Sequence, residues 1–309
     1  MGEHNLSISR LAQVGLVLLA STALATGTGR ATARRDVQPP SRTLVVVAHA
    51  DDSILFMNPD LLELIRHGGA VESVFTTTGD DGLGMAYALD REQAALAAIA
   101  SMAGAANAWS KQTVTADGHR LTTETLTTNP QMTVVFMRLP DGSTNGSGSA
   151  DTSHQSLEKL WTGSIPTIGT LDRTNAYTKQ SLTSTLAAMI NNYHPNVIWT
   201  QNYLGTYGNG DHSDHTTTGY FTVAARAQYR GTPPPLVAFM GYPISKLPAN
   251  VSGALERAKE DAFFVYSQHD SHGCTTLSVC TRGLLGATVS KWFARQYIAG
   301  VIPSTIRSP

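Results

Sequence analysis

Residues 43–53, Thr-Leu-Val-Val-Val-Ala-His-Ala-Asp-Asp-Ser, restrict this chain more than any other stretch. Leu44 to Ala48 is a continuous apolar run rich in β-branched residues, the pattern of a strand buried on both faces, as in a parallel sheet covered by helices. The run stops abruptly at His49, Asp51 and Asp52. In open α/β sheets ligands bind beyond the carboxyl ends of the strands, so these three polar groups fall where chemistry is done. An imidazole and two carboxylates within four residues can bind a divalent metal and leave one carboxylate free. They also suit a plainer role, with His49 closing the strand and an aspartate capping the next helix. The stretch alone leaves both readings open.

The remaining pattern continues the alternation. A helix is predicted over 59–67, Gly68-Gly69 ends it, and a strand follows over 71–76, which makes a βαβ unit. The loop Thr76 to Gly84 is glycine-rich, but it lacks Gly-Lys-Ser/Thr, and Asp80 and Asp81 would repel a phosphate. A helix over 87–102 is rich in alanine and opens at Asp90, Arg91 and Glu92, with Arg91 able to reach the mouth of the site. Residues 111–129 suggest a hairpin and 132–139 a strand, after which the Gly/Ser/Asn/Thr-rich segment 141–153 is a candidate rim. A helix over 178–193 and a strand over 196–201 lead to a second Gly-rich loop, then to Asp211-His212-Ser213-Asp214-His215, which opens another helix. A strand over 236–240, a helix over 254–268, a cysteine loop and a short tail complete the chain. Neither a repeat nor a boundary divides it. The fold class predicted is α/β with a mostly parallel sheet, as one domain over 43–309 behind an exposed lead-in at 34–42.

Residues 1–33 read as a secretory signal peptide. A polar start ends at Arg10, the apolar run Leu11 to Ala25 is too short to span a bilayer, and two Ala-x-Ala sites follow. The predicted location is therefore extracellular, with no stable membrane span after cleavage. Cys274 and Cys280 are the only cysteines, and in an oxidising compartment such a pair forms a local disulfide. A formal net charge of -1 argues against a nucleic-acid surface, which would carry a basic excess.

Two clusters, each after a predicted strand, carry the candidate chemistry: His49, Asp51 and Asp52, then His212, Asp214 and His215. A catalytic zinc takes three protein N and O ligands and keeps a fourth position open. His49, Asp52 and His215 offer such a set. Asp51 then stays free to take a proton, His212 to support the reacting group, and Asp214 to orient an imidazole. With a metal that activates water and polarises a carbonyl, this equips a site for amide hydrolysis.

These residues carry a family resemblance. His49-Ala50-Asp51-Asp52 resembles the Ala-His-Pro-Asp-Asp-Glu motif of the PIG-L/LmbE-like zinc-dependent N-deacetylases, and His212-Ser213-Asp214-His215 resembles their His-Pro-Asp-His motif. Thr78-Gly79-Asp80, the helix opening at Arg91, and Lys259 through Gln268 sit in the family's order, so the resemblance covers roughly residues 43–270. With Leu55 to Asp60 after the first motif, the chain looks most like secreted actinobacterial-type members. The resemblance implies a Rossmann-like three-layer fold, Zn2+ held by His49, Asp52 and His215, Asp51 as general base, and His212 supporting a tetrahedral intermediate. Asp80 and Arg91 would belong to the substrate shell. The implied substrate is an N-acetylamino sugar or glycoconjugate.

The chain departs from the family pattern at several positions. Ala50 replaces the usual proline, Ser53 stands where an acidic residue is common, Asp80 where glutamate is usual, and Ala94 where an acidic residue is expected three after Arg91. Three other functions bear weighing. A serine hydrolase lacks support, since no Gly-x-Ser-x-Gly elbow is present. A secreted carbohydrate-binding metalloprotein without turnover would have no use for an unliganded Asp51. A metallo-amidase acting on another amide differs only in substrate.

Overall fold

The computed structural model describes residues 41–281 and 284–304, without the side chains of 284–287; the predicted signal peptide and most of the lead-in lie outside them. Hydrophobic alternation sets the architecture. Strand β1 (Arg42–Val47) sends Val45 and Val47 into one apolar cluster and Leu44 and Val46 into another, so both of its faces are buried. That is the outcome a β-branched run without polar alternation requires. The chain then forms α1 (Asp52–Phe56), α2 (Asp60–Arg66) and β2 (Ala70–Thr77), and β2 lies parallel to β1.

Helix α3 (Met85–Met102) crosses to the antiparallel hairpin β3 (Trp109–Ala116) and β4 (His119–Leu126), followed by β5 (Met132–Leu139). A long excursion carries α4 (Leu157–Thr162) and a two-residue ladder of β6 (Ile168–Gly169) with β7 (Ala176–Tyr177). Helix α5 (Lys179–Tyr193) opens on a capping box in which the Thr178 hydroxyl accepts from the Ser181 amide and the Ser181 hydroxyl accepts from the Thr178 amide. Then come β8 (Val197–Gln201), α6 (Ser213–Arg226), β9 (Leu236–Phe239), α7 (Gly253–Ser267), α8 (Leu277–Cys280), α9 (Leu284–Phe293) and β10 (Ile298–Ile302).

The eight-stranded sheet has the order β10-β9-β8-β1-β2-β5-β4-β3, with β9, β8, β1, β2 and β5 mutually parallel. Helices cover both faces, so the described residues form one α/β unit of three layers. The sequence leaves out β10: a run broken by Ala299 and Gly300 is a weak strand signal, and pairing with β9 organises it. Cys274 and Cys280 are joined in a disulfide, as their spacing predicts. Among the described residues no helix is long and apolar enough to cross a membrane.

Strand order also places the site. From β1 the sheet grows through β2 on one side and through β8 on the other, so the connections leave β1 and β8 in opposite directions. The crevice where strand order reverses is the ligand position of open α/β sheets. The segment after β1 holds His49 to Asp52, and the segment after β8 holds Asp211 to His215.

Candidate metal centre and catalytic cavity

The two motifs, 166 residues apart in the chain, meet at that crevice. His49 Nδ1 lies 3.2 Å from His215 Nε2, which lies 2.9 Å from Asp52 Oδ1, and His49 Nδ1 is 3.3 Å from Asp52 Oδ2. All three side chains are buried. Two imidazole nitrogens and a carboxylate converging on one point are a zinc-type donor set, and among the described residues one of the two groups able to hold a metal is this one. Asp51 stands at the N-cap of α1 without a side-chain capping hydrogen bond and Asp52 is the first helical residue, so neither carboxylate is spent on capping the helix.

Neighbours aim these donors. Asp211 Oδ1 accepts from His215 Nδ1 at 2.8 Å, which turns Nε2 toward the centre. The same oxygen accepts from the His212 and Tyr242 amides. Gln201, the last residue of β8, donates to Asp52 Oδ2 at 2.9 Å while its own carbonyl accepts from the Ala48 amide. Gly241 makes room for the pair: a Cβ there would sit 2.6 Å from His215 Nδ1 and collide with Asp211. Neither Asp211 nor Gln201 was assigned a role from sequence. For Asp211 a signal existed, since Asp211 and His215 are four apart at a helix start and so share a face. Such partners fix tautomer and ring orientation, and their loss costs roughly 10–100-fold in metal affinity. Asp211→Ala should weaken zinc binding by that factor in competition with a chromogenic chelator, with the fold retained by circular dichroism.

Asp51 stands beside this group but outside it. Its Oδ1 accepts from Arg91 at 2.7 Å, and its side chain remains 22% exposed at the cavity wall. Arg91 is itself fixed, donating also to the Gly79 carbonyl and, at 2.7 Å, to the Tyr266 hydroxyl, with Asp270 Oδ2 3.5 Å from its Nε. Arg91 thus reaches the mouth of the site, and its guanidinium is occupied in holding Asp51. Asp80 lies elsewhere: it is fully buried and its carboxylate accepts from Thr78, Gly84 and the Asp141 amide. It shapes the loop after β2 and does not line the cavity.

His212 caps α6, its Nδ1 accepting from the Asp214 amide at 3.1 Å. With Nδ1 an acceptor, a neutral ring carries its proton on Nε2, 3.7 Å from Asp141 Oδ1. Burial, together with His49 and His215, holds the His212 pKa well below the usual histidine value, so the ring stays neutral. Asp214 accepts from the Gly142 amide at 2.8 Å and lies 3.5 Å from His49 Nε2. The imidazole it faces is therefore that of His49, while His215 is oriented by Asp211. Asp214 Oδ1 and His49 Nε2 are buried without a hydrogen-bond partner.

Burial opposes charge on His215, but Asp52 and Asp211 outweigh it and raise its pKa to about 9. His49 is raised too: burial is overcome by Asp52, Asp214 and Asp141. Asp52 is driven down by the two imidazoles against the effect of its burial. At neutral pH protons therefore occupy the imidazoles that a cation needs free. Zinc binding should release protons near pH 7, and apparent affinity should rise as pH approaches about 9, where His215 loses its proton unaided. Calorimetry in buffers of different ionisation enthalpy measures that release; an enthalpy independent of buffer contradicts it.

A cavity of about 580 Å³ opens over these groups, bordered by His49, Asp51, Asp141 and His212. A family model described as PIG-L, GlcNAc-PI de-N-acetylase, matches residues 44–226, more than half of the chain. No curated protein matches. Among solved structures, the chain is similar to a zinc-inhibited form of the teicoplanin deacetylase Orf2, with 14% identity, 81% of this chain and 90% of that chain covered, and a TM-score of 0.46. It is also similar to an N,N'-diacetylchitobiose deacetylase from Pyrococcus horikoshii, with 14% identity, coverage of 76% and 74%, and a TM-score of 0.43. A third is GalB, the 4-carboxy-2-hydroxymuconate hydratase from Pseudomonas putida, with 14% identity, coverage of 74% and 82%, and a TM-score of 0.42.

Proposed function

The chain belongs to the PIG-L, GlcNAc-PI de-N-acetylase family, and on that premise we propose that it is an exported zinc-dependent hydrolase removing acetyl from an N-acetylamino sugar or glycoconjugate. The observation that carries the reading is the meeting of His49, Asp52 and His215 with a carboxylate, Asp51, left over beside them. The donors fit zinc in kind, number and convergence, and Asp211 and Gln201 hold two of them in ligating orientation. His49, Asp52 and His215 would hold the ion. When bound, zinc lowers the pKa of a water to about 7 and polarises a carbonyl.

The protein's own groups supply the remainder. Asp51, with Oδ1 fixed by Arg91, takes a proton from water at its other carboxylate oxygen as the water oxygen bonds to the acyl carbon. Burial raises the pKa of Asp51 against the opposing pull of Arg91, which brings it closer to that of a base able to hold a proton during turnover. His212, neutral and protonated on Nε2, donates to the carbonyl oxygen as charge collects there. The C–N bond then breaks, the proton held by Asp51 passes to the departing nitrogen, and an amine and a carboxylic acid leave, the acid giving its remaining proton to solvent. Asp214 places a carboxylate oxygen 3.5 Å from His49 Nε2. Export follows from the leader-like residues 1–33 and suits the disulfide.

A module that only bound carbohydrate would gain nothing from the Asp51–Arg91 pair beside the metal ligands. The test is elemental analysis of the purified protein, followed by amine release from N-acetylated sugars with and without chelator. Stoichiometric zinc and chelator-sensitive amine release are expected. A protein that binds no divalent ion, or that releases amine equally well in chelator, refutes the proposal.

A further inference from the structure

The cavity over Asp51 and His212 has two unlike walls. One carries Asp81, Asp141, Ser143 and Thr144, whose carboxylates and hydroxyls match the hydroxyl groups of a sugar. The other is mainly apolar, with Tyr242, Phe263, Trp292, Val289, Val279 and the half-cystine Cys274 beside the polar Tyr87 and His272. It begins at the reacting groups: the Tyr242 ring centroid is 5.0 Å from that of His215, and Trp292 stacks on Tyr242 at 4.8 Å and 17°. It ends at the rim, where Val279 is 48% exposed although Phe263 and Trp292 are buried.

This wall is fixed in place. Trp292 Nε1 donates to the Tyr242 carbonyl at 3.2 Å, and the buried Lys259 Nζ donates to the carbonyls of Trp292 at 2.9 Å and Arg295 at 2.6 Å. The Cys274–Cys280 disulfide closes the loop that carries Val279. Asp270, which also borders the cavity, has its carboxylate committed to Tyr87 at 2.7 Å and faces Arg91. A rigid apolar surface leading from the catalytic groups to solvent is far more than one acetyl methyl can cover. The cavity falls in the range of roughly 300–1,000 Å³ typical of sites for larger ligands.

We infer that the Tyr242–Trp292–Val279 wall is an acyl-chain subsite, and that the N-acylamino sugars this protein hydrolyses extend beyond acetyl to those carrying longer straight chains. The inference rests on the reading of the site as an amide hydrolase. Asp51 and His212 fix the carbonyl between the two walls. With the sugar hydroxyls against Asp141, Ser143 and Thr144, the acyl chain is directed along the apolar side. The reaction is unchanged: one water is consumed, the C–N bond breaks, and a fatty carboxylate leaves in place of acetate. Each buried methylene tightens binding by about fourfold, so partial burial of the four extra methylenes of a hexanoyl group should give tenfold or more.

Two measurements separate this inference from the reading beneath it. Binding of N-acetyl- and N-hexanoylglucosamine is compared by calorimetry on the zinc-loaded, full-length Asp51→Asn protein, and kcat/KM for both is measured on the zinc-loaded unsubstituted protein. The expected result is hexanoyl binding at least tenfold tighter, with Val279→Asp reducing that ratio to below threefold; Val279→Ala serves the same comparison if the aspartate variant does not fold. Equal or weaker hexanoyl binding overturns the inference, even if the acetyl compound is hydrolysed. A gain for phenyl N-acetylglucosaminide without one for the hexanoyl compound also overturns it, because the wall would then serve the sugar's aglycone. Tighter hexanoyl binding with neither compound hydrolysed supports the subsite and refutes the hydrolase.

Discussion

Asp51→Ala should leave zinc bound at full stoichiometry and lower kcat by roughly 10²–10⁴-fold, the usual effect of losing a general base. The reason is geometric. Asp51 is adjacent in sequence to the ligand Asp52, but its Oδ1 is directed to Arg91 at 2.7 Å and takes no part in the His49–Asp52–His215 convergence. The variant removes a proton acceptor and spares the donor set. It also leaves Arg91 with Asp270, Tyr266 and the Gly79 carbonyl, so the guanidinium is not stranded. Zinc content by elemental analysis and kcat on the same preparation test the prediction together. If zinc is lost from Asp51→Ala and kept by Asp52→Ala, the roles assigned to the two aspartates are reversed.

The second large effect is expected at His215. His215→Ala should empty the site of zinc at micromolar metal and abolish chelator-sensitive hydrolysis. The loss should exceed the roughly 10–100-fold that removing a supporting partner costs, because a donor of the first coordination sphere disappears. His215 supplies the only donor from the α6 side within the three-residue group, the other two coming from the segment after β1. Without it, His49 and Asp52 are left as two ligands from one short loop. His49→Ala should behave alike, and Asp211→Ala should fall between these variants and the unsubstituted protein. Retention of tight zinc by His215→Ala would assign the ion to another set, the candidate being His49, Asp141, His212 and Asp214. In that set the Nδ1 of His212 already accepts a backbone N–H, which puts the ring proton on the nitrogen nearest Asp141 and makes it a poor metal ligand.

Much of this protein is written in local pattern. The doubly buried Leu44–Val47, the glycine stop at 68–69, the alanine-rich α3, the Thr178-capped α5 and the disulfide between Cys274 and Cys280 follow from periodicity, capping chemistry and cysteine spacing. The identities of His49, Asp51, Asp52, His212, Asp214 and His215 stood out because polar, ligand-type residues directly follow strand-like runs. The tertiary structure brings together the set that donor chemistry and the family resemblance pointed to, His49, Asp52 and His215. Nothing local to 43–48 or 196–201 says that β1 and β8 are neighbours, since lateral order in a sheet is chosen by packing among distant segments; yet that adjacency sets His49 3.2 Å from His215. It also gave the orienting role on His215 to Asp211 and turned Asp214 toward His49. Arg91 was occupied with Asp51, Asp80 was sealed inside a loop, and an apolar wall from α7, α8 and α9 was brought over the site. Side-chain partnerships across elements depend on distances that no sequence period encodes, so the donor set was legible while its supports, Asp211 on His215, Gln201 on Asp52 and Arg91 on Asp51, were not.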